Sequence, residues 1–244
     1  GYTPGEQVRA PGLIKLNTNE NPYPPSPAVA KALANLRPDD LRRYPQPLAD
    51  DFRMAAADVL DVEPEMILAG NGSDDLLRMI ATAFIGPGQT AAACYPTYSL
   101  YEVLVAIENA TMRWIDWPDD YSLPIDELAA VRASLVFLAN PNAPTGTLVP
   151  PGDIAKLAQR LAGVGVLVVD EAYIDFAAPP GEASVGAPGT ASSLPLVREH
   201  ANVIVLRTFS KGYSLAGLRF GYAVAQPEII DGLRKVKDSY NCDA

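Results

Sequence analysis

A lysine close to the end of an apolar run is the residue with the clearest chemical potential in this sequence. Lys211 lies in the segment 207–213 (RTFSKGY), five residues after the apolar run Val203–Leu206, and Arg219 follows eight residues later. A lysine can form an imine with an aldehyde when neighbouring cations and desolvation lower its pKa, and an arginine can hold a phosphate with its planar fork of donors. The alternative is a solvated pair of basic residues without a function.

An acidic residue follows a second apolar run. Val164–Val169 leads directly into Asp170, and a carboxylate next to a buried strand is costly unless a cation meets it. Asp170 could pair with a protonated ring nitrogen, an arginine or a magnesium ion. The sequence has no Walker A loop to accompany a magnesium-binding acid, which leaves an organic cation or a structural salt bridge.

Two turns rich in glycine or proline follow other apolar runs. In the segment 70–75 (GNGSDD), glycines allow close backbone approach, and the N–H groups at the start of a following helix attract an anion. A plain helix cap is the alternative there. The segment 140–146 (NPNAPTG) is rigid and loses little freedom when a ligand binds, with a structural turn as the alternative.

These four segments together describe one ligand. A lysine suits an aldehyde, an acid suits a pyridinium nitrogen, and a glycine- and serine-containing turn with an arginine suits a phosphate. Pyridoxal 5′-phosphate (PLP) carries all three groups. The combination is stronger than any one segment taken alone.

The elements that must position these residues are visible as short apolar runs separated by amphipathic stretches. Unbroken apolar runs are typical of strands buried on both faces, and their spacing fits β–α crossovers. We therefore expect an α/β domain with a mostly parallel central sheet flanked by helices, and a ligand beyond the carboxyl ends of its strands. The predicted strands are Met66–Ala69, Thr90–Cys94, Thr111–Ile115, Leu135–Ala139, Val164–Val169, Val203–Leu206 and Tyr222–Ala225.

Helices and an extended arm complete the predicted organisation. Residues 1–30 are proline-rich, and because proline lacks an N–H donor and fixes its own φ, we expect an extended N-terminal arm there. Residues 31–244 would form the cofactor-binding large domain, with a surface loop over Pro179–Thr190. The predicted helices are Ala28–Leu36, Leu48–Leu60, Asp74–Phe84, Thr97–Glu108 and Asp153–Leu161.

Composition argues against several other classes of protein. The 244 residues are 48% apolar, which allows a substantial core, and no apolar run is long enough to cross a bilayer. The two cysteines, Cys94 and Cys242, make neither a disulfide framework nor a zinc site, and a single histidine excludes a His-rich metal site. The net charge of −10 argues against broad nucleic-acid binding. No basic-then-apolar leader is visible, and we expect a cytoplasmic protein without a metal.

Several motifs resemble those of the fold-type-I PLP-dependent aminotransferases (class I/II), most closely the histidinol-phosphate aminotransferases. The resemblance implies PLP as cofactor and transfer of an amino group between L-histidinol phosphate, or a similar amino substrate, and 2-oxoglutarate by a ping-pong mechanism. It also implies a role in histidine biosynthesis and a homodimer. The motifs are 2–5 (YTPG), 16–23 (LNTNENPY), 43–45 (RYP), 70–75, 96–98 (PTY), 170–173 (DEAY), 209–211 (FSK), 217–219 (GLR) and 235–241 (KVKDSYN), the last resembling a helix that runs toward a small domain.

The resemblance implies roles for individual residues. Lys211 would hold the cofactor covalently and move a proton at the reacting carbon, Asp170 would pair with the ring nitrogen, and Tyr173 would donate to the phenolic oxygen. Tyr98 would stack on the ring, with a core aromatic as the alternative. Tyr44 would reach the cofactor of the neighbouring subunit. The residues implied near the substrate entrance are Asn19 and Tyr23, and those implied around the phosphate are Gly72, Ser73, Asp74, Thr208, Ser210 and Arg219.

One position departs from the family pattern. The family carries an asparagine immediately before Pro-Thr-Gly, and the amide of that asparagine bonds the phenolic oxygen of the cofactor. Here the position is Ala143, which has no amide. Either the adjacent Asn142 takes over this contact with the cofactor, or Tyr173 acts alone.

Other functions stay open at this point. A PLP-dependent decarboxylase of a phosphorylated amino acid shares much of this pattern. A non-catalytic domain with the same fold is favoured by Ala143 and opposed by the intact Asp170, Tyr173, Lys211 and Arg219. A nucleotide-binding domain would need a P-loop, which the sequence does not contain. The chain stops where a family member continues into a C-terminal small domain, so we expect that domain to be absent here.

Overall fold

A single sheet gathers the apolar runs of the chain. The computed structural model describes residue 5, residues 10–177 and residues 191–242, and within them seven strands lie in the order β1-β7-β6-β5-β4-β2-β3. The neighbours among β2 to β6 pair in parallel, whereas β7 runs antiparallel to both β6 and β1. The strands are β1 Ile67–Gly70, β2 Thr90–Tyr95, β3 Thr111–Asp116, β4 Leu135–Ala139, β5 Val166–Asp170, β6 Val203–Thr208 and β7 Gly221–Ala225.

Helices cover both faces of this sheet. One apolar cluster packs α2, α5 and α6 against one face, and a second cluster packs α3, α4 and α8 against the other. Successive residues of a strand alternate between the clusters: Val136 and Leu138 of β4 face the first, whereas Leu135 and Phe137 face the second. Both faces are therefore apolar. The helices are α1 Pro27–Ala34, α2 Asp50–Leu60, α3 Ser73–Phe84, α4 Leu100–Ile107, α5 Ile125–Ala130, α6 Pro151–Leu161, α7 Leu196–Glu199 and α8 Pro227–Arg234.

The predicted strands are confirmed with shifted ends. The largest shifts of an end are of two residues: β6 extends to Thr208 although its apolar run ends at Leu206, and β5 begins at Val166 although its apolar run begins at Val164. The backbone N–H groups of Val164 and Gly165 donate to the carbonyl of Leu161, so these two residues close the turn after α6. Similarly, α4 begins at Leu100 and not at Thr97, because Thr97 and Tyr98 belong to the turn that follows β2.

The segment 235–241 differs from the expected helix. Helix α8 ends at Arg234 and is followed by turns. The ammonium group of Lys237 donates to the carbonyls of Asp238 and Ser239 and to Oδ1 of Asn241. These bonds hold the segment in a turn against the end of β1, where Asn241 reaches the carbonyl of Ala69.

From residue 10 onward the N-terminal arm is irregular up to Ser26, where the side chain of Ser26 caps α1 by accepting from the N–H of Ala28. None of the residues of α1 is buried. The division at residue 30 stays a prediction. The first part of the arm (1–4 and 6–9) and the predicted loop 179–190 lie outside the described residues. Within the described part of the chain, no helix is both long and apolar enough to cross a membrane.

Candidate active site

A cavity of about 620 Å³ opens at the edge of the sheet where β1, β2, β4, β5 and β6 end. Each of these strands sends residues of its following loop into the lining, and the N-terminal arm adds residues 17–20. This is the position that an open parallel sheet favours for a ligand. The predicted site residues that line it are Asn19, Ser73, Asp74, Tyr98, Asp170, Tyr173, Thr208, Ser210, Lys211 and Arg219.

The amine of Lys211 lies in this cavity and is held by the arm. Its Nζ donates to the carbonyl of Thr18 at 2.9 Å and lies 5.7 Å from the ring centroid of Tyr173. The carbonyl of Lys211 accepts from Nδ2 of Asn21 at 3.2 Å. The arm therefore contacts the lysine at both its side chain and its backbone.

Asp170, the last residue of β5, presents a buried carboxylate to the cavity. Tyr101 donates to Oδ2 at 3.0 Å, and the N–H of Ala172 donates to Oδ1 at 3.2 Å. Burial raises the pKa of Asp170 to about 6, although both hydrogen bonds oppose this shift. A cation bound at this carboxylate would stabilise its charged form and lower its pKa.

Tyr101 is a site residue that sequence reasoning missed. It is fully buried in α4, stacks on Phe137 with ring centroids 4.6 Å apart, and meets the ring of Tyr98 edge-on at 5.6 Å. Tyr98 lies three residues earlier and lines the cavity. The spacing of these two tyrosines was the available signal, since residues three apart lie on one side of a helical turn.

An anion-binding corner forms where α3 begins. Gly72 precedes the helix with φ +82°, and a Cβ at this position would lie 2.6 Å from Nη2 of Arg219. Nη1 of Arg219 donates to Oγ of Ser210 at 3.3 Å, and Thr208 donates to the same oxygen at 2.9 Å. Asp74 lies 3.7 Å from Nη2 and partly balances the guanidinium charge. A helix start, an arginine and two hydroxyls thus converge on one place, which suits a phosphate.

A buried ion pair lies behind the cavity and was not predicted as part of the site. Nε of Arg207 donates to Oε2 of Glu171 at 2.7 Å, and Ser192 contacts both side chains. Burial raises the pKa of Glu171. For Arg207, burial acts to lower the pKa, but the nearby acidic groups, above all Glu171, outweigh burial and raise it. This pair ties the residue after Asp170 to β6, the strand that leads to Lys211.

The structure does not bring Asn142 to the cavity, so its predicted contact with a cofactor is not supported. The side chain is 3% exposed, and its amide N–H groups donate to the carbonyl of Pro96 and to Oγ1 of Thr145. Its Oδ1 accepts from Thr97 at 2.6 Å. The amide therefore fixes the loop 140–146, and it is Ala143 that lines the cavity.

Two predicted site residues lie on the outer surface. Tyr44 is 81% exposed and stacks on Tyr240 with ring centroids 4.5 Å apart, and Tyr23 is 76% exposed. Neither lines the cavity within this chain. Among the described residues, no group of three or more His, Cys, Asp or Glu side chains is arranged to hold a metal ion.

Fold and cavity place the chain in a known class. The family model for aminotransferases of class I and II matches residues 11–244. Because the match covers nearly the whole sequence, the chain belongs to this family, as the motifs predicted.

Named relatives narrow the class. The chain is 48% identical over 244 residues to histidinol-phosphate aminotransferase 1 of Trichormus variabilis and 45% identical to the protein of the same name from Nostoc sp.; these alignments cover all of this chain and 66% and 65% of the relatives. The crystal structure of histidinol-phosphate aminotransferase from Sinorhizobium meliloti in complex with PLP is similar with a TM-score of 0.81 and 29% identity, over 92% of this chain and 59% of that one. The similarity confirms the predicted fold-type-I α/β architecture. The chain spans about two thirds of the length of the curated relatives that it matches.

Proposed function

We propose that this protein is a PLP-dependent aminotransferase that moves an amino group between L-histidinol phosphate, or a similar amino substrate, and 2-oxoglutarate by a ping-pong mechanism. The observation that carries the proposal is the common position of three groups in one cavity: the amine of Lys211, the buried carboxylate of Asp170 and the anion corner at Arg219. The relatives named histidinol-phosphate aminotransferase support the choice of substrate.

The residues of the cavity fit the cofactor. The missing Cβ of Gly72 leaves room beside Arg219, so that the backbone N–H groups of Ser73 and Asp74, with Thr208, Ser210 and Arg219, would hold its phosphate. Lys211 would hold it covalently, Tyr98 would stack on its ring, and Tyr173 would donate to its phenolic oxygen. Bound PLP supplies an electron sink for the electrons of the substrate's Cα–H bond.

The remaining chemistry belongs to the protein. Asp170 would keep a proton on the ring nitrogen with a carboxylate that Tyr101 and Ala172 already hold in place. Once released by the incoming amine, Lys211 would accept the proton from the substrate's Cα as a general base and deliver it to C4′ of the cofactor as a general acid. Its amine must be neutral to accept this proton.

The surface residues support a homodimer whose sites are shared. Tyr44 and Tyr23 are exposed in one chain, as are the arm residues Ile14 and Leu16 at 80% and 82%. Large exposed apolar side chains of this kind favour a protein partner. In the dimer that we propose, Tyr44 reaches the phosphate of the partner's cofactor and Asn19 and Tyr23 lie at the substrate entrance. We further propose that the enzyme is cytoplasmic and acts in histidine biosynthesis.

The test uses the full-length protein loaded with PLP. Addition of L-histidinol phosphate alone is expected to convert the visible band to that of the amino form of the cofactor, and 2-oxoglutarate is expected to restore it. Lys211→Ala is expected to lose the band of the lysine-bound cofactor and turnover, whereas Lys235→Ala, outside the cavity, keeps both. Retention of that band in Lys211→Ala would exclude this lysine.

A decarboxylase would behave differently in the same assay. It would release carbon dioxide from a phosphorylated amino acid and consume no 2-oxo acid. Carbon dioxide release without consumption of 2-oxoglutarate would therefore overturn the proposed reaction while leaving the cofactor assignment intact.

A further inference from the structure

The hydroxyl of Tyr173 receives a hydrogen bond from the N-terminal arm. Nδ2 of Asn19 lies 3.0 Å from the hydroxyl oxygen of Tyr173. An amide N–H can only donate, while a phenol has one proton to donate and lone pairs that accept. Asn19 therefore occupies a lone pair of the hydroxyl and leaves its proton for another acceptor.

Tyr173 shares the cavity with Asn19 and with the amine of Lys211. Asn19, Tyr173 and Lys211 line the same cavity, and the lysine Nζ lies 5.7 Å from the tyrosine ring centroid. The arm on both sides of Asn19 is held at Lys211, by the carbonyl of Thr18 and by the amide of Asn21. Asn19 is thus held against Tyr173 by two further contacts of the same arm.

The loop that follows β4 offers no comparable donor. Ala143 lines the cavity without an amide, and the two N–H groups of Asn142 are bound to Pro96 and Thr145. The side-chain amide at this end of the cavity comes instead from Asn19 of the arm. A hydroxyl that accepts one hydrogen bond is also a stronger donor of its own proton, because hydrogen bonds in a chain polarise one another.

We propose that Asn19 is a positioning residue that directs the proton of the Tyr173 hydroxyl toward the phenolic oxygen of the bound cofactor, and that it does so where Ala143 lacks an amide. The inference rests on the proposed function. It assigns Asn19 an action through Tyr173, whereas the resemblance implied only a place near the substrate entrance.

The experiment titrates the visible absorbance of the full-length, PLP-loaded protein with pH. A donor to the anionic oxygen of the cofactor favours the deprotonated lysine–cofactor linkage and lowers its pH midpoint. Asn19→Ala removes the restraint on the hydroxyl and is expected to raise the midpoint by about half to one pH unit. Asn19→Asp is expected to raise it at least as far, since a carboxylate accepts the hydroxyl proton. This variant also suits the left-handed backbone of residue 19 (φ 51°), which Asn and Asp tolerate best.

Two comparisons separate positioning from general docking of the arm. Asn21→Ala removes another amide of the same arm, one bound to the backbone of Lys211, and is expected to move the midpoint by less than Asn19→Ala. In a Tyr173→Phe background, Asn19→Ala is expected to add no further shift, because the residue acts through the hydroxyl.

Each result decides the proposal. An unmoved midpoint in Asn19→Ala, an equal shift in Asn21→Ala, or a full additional shift in the Tyr173→Phe background would overturn it. Those outcomes leave the proposed function intact, because a wild-type protein with a titrating visible band has bound its cofactor through the lysine. A wild-type protein without such a band would overturn both.

Discussion

Asp170 shows how one residue can be prepared for a ligand at the expense of stability. Its carboxylate is buried, and burial raises its pKa to about 6, so the folded protein without cofactor holds this proton more tightly than the unfolded chain does. As the pH rises from about 4 to above 6, the unfolded chain releases the proton first. The free energy of unfolding therefore falls over this range through Asp170.

Asp170→Asn should remove this loss. We expect the cofactor-free variant to be more stable than wild type by at most about 3 kcal/mol at pH 8 and by about half as much at pH 5. Thermal unfolding at both pH values measures the effect, and Asp61→Asn, at an exposed surface position, serves as the control. An equal difference at pH 5 and pH 8 would mean that the ionisation of Asp170 is not the cause. The same variant should bind PLP weakly, because an amide cannot keep the ring nitrogen protonated.

Individual residues also show what the sequence could and could not predict. Asp170 was recognisable because a charge directly after an apolar run needs a reason, and Lys211 and Arg219 because a basic pair with hydroxyl residues around it follows another such run. Tyr101 was not, because a tyrosine in an amphipathic helix looks the same whether its hydroxyl meets solvent or a carboxylate from a strand 69 residues away. The direction of the Asn142 amide could not be predicted, because it depends on Thr97 and Pro96, which belong to another loop.

Among the elements, the turn between β1 and α3 has the tightest geometry. Gly72 combines a left-handed backbone with a direct approach of Arg219. Gly88 has nearly the same φ, +83°, but a Cβ there would meet nothing within 4 Å. Alanine substitutions at these two glycines therefore distinguish the effect of backbone strain, which both would have, from the displacement of Arg219, which only Gly72→Ala would cause.

Gly72→Ala and Gly88→Ala should lose similar stability, about 1 kcal/mol each, because alanine is strained at positive φ. Only Gly72→Ala should weaken PLP binding, by about tenfold or more, since its Cβ pushes Arg219 away from the phosphate. Thermal unfolding and equilibrium titration with PLP give the two quantities. Equal affinities for PLP in the two variants would contradict the assignment of Arg219 and Gly72 to the phosphate site.

The strands were predictable from sequence because the alternating faces of each strand are both covered by helices, which leaves unbroken apolar runs. The exact ends of the strands and helices were less predictable. The start of β5 depends on hydrogen bonds to Leu161, and the start of α4 on the turn at Thr97. Helices α5, α7 and α8 were not predicted. Two of these are short, at six and four residues, and give little periodic signal.

At the scale of the whole molecule, the cavity is built by one chain, yet Tyr44 lies outside it. This tyrosine is 81% exposed and stacks on Tyr240, a geometry that suits a residue serving a partner across a two-fold interface.

A subunit-mixing experiment tests this directly. Full-length Lys211→Ala and Tyr44→Ala should each have low aminotransferase activity as homodimers. In a mixed dimer, one site combines Lys211 of one chain with Tyr44 of the other, so equal co-expression should restore about a quarter of the wild-type activity. Activity equal to the average of the two parent variants would place Tyr44 outside the partner's site.

The reversed direction of β7 has a consequence for how this site tolerates sequence divergence. Because β7 lies antiparallel beside β6, residues 209–220 return along the same edge without a crossover. Lys211 and Arg219, which we propose to hold the aldehyde carbon and the phosphate of the cofactor, therefore belong to one short connection. Their spacing is set by the torsions of that connection rather than by the packing of helices onto the sheet. We therefore expect that substitutions that shift α2, α6 or α8 by a fraction of a turn can accumulate without altering the distance between Lys211 and Arg219.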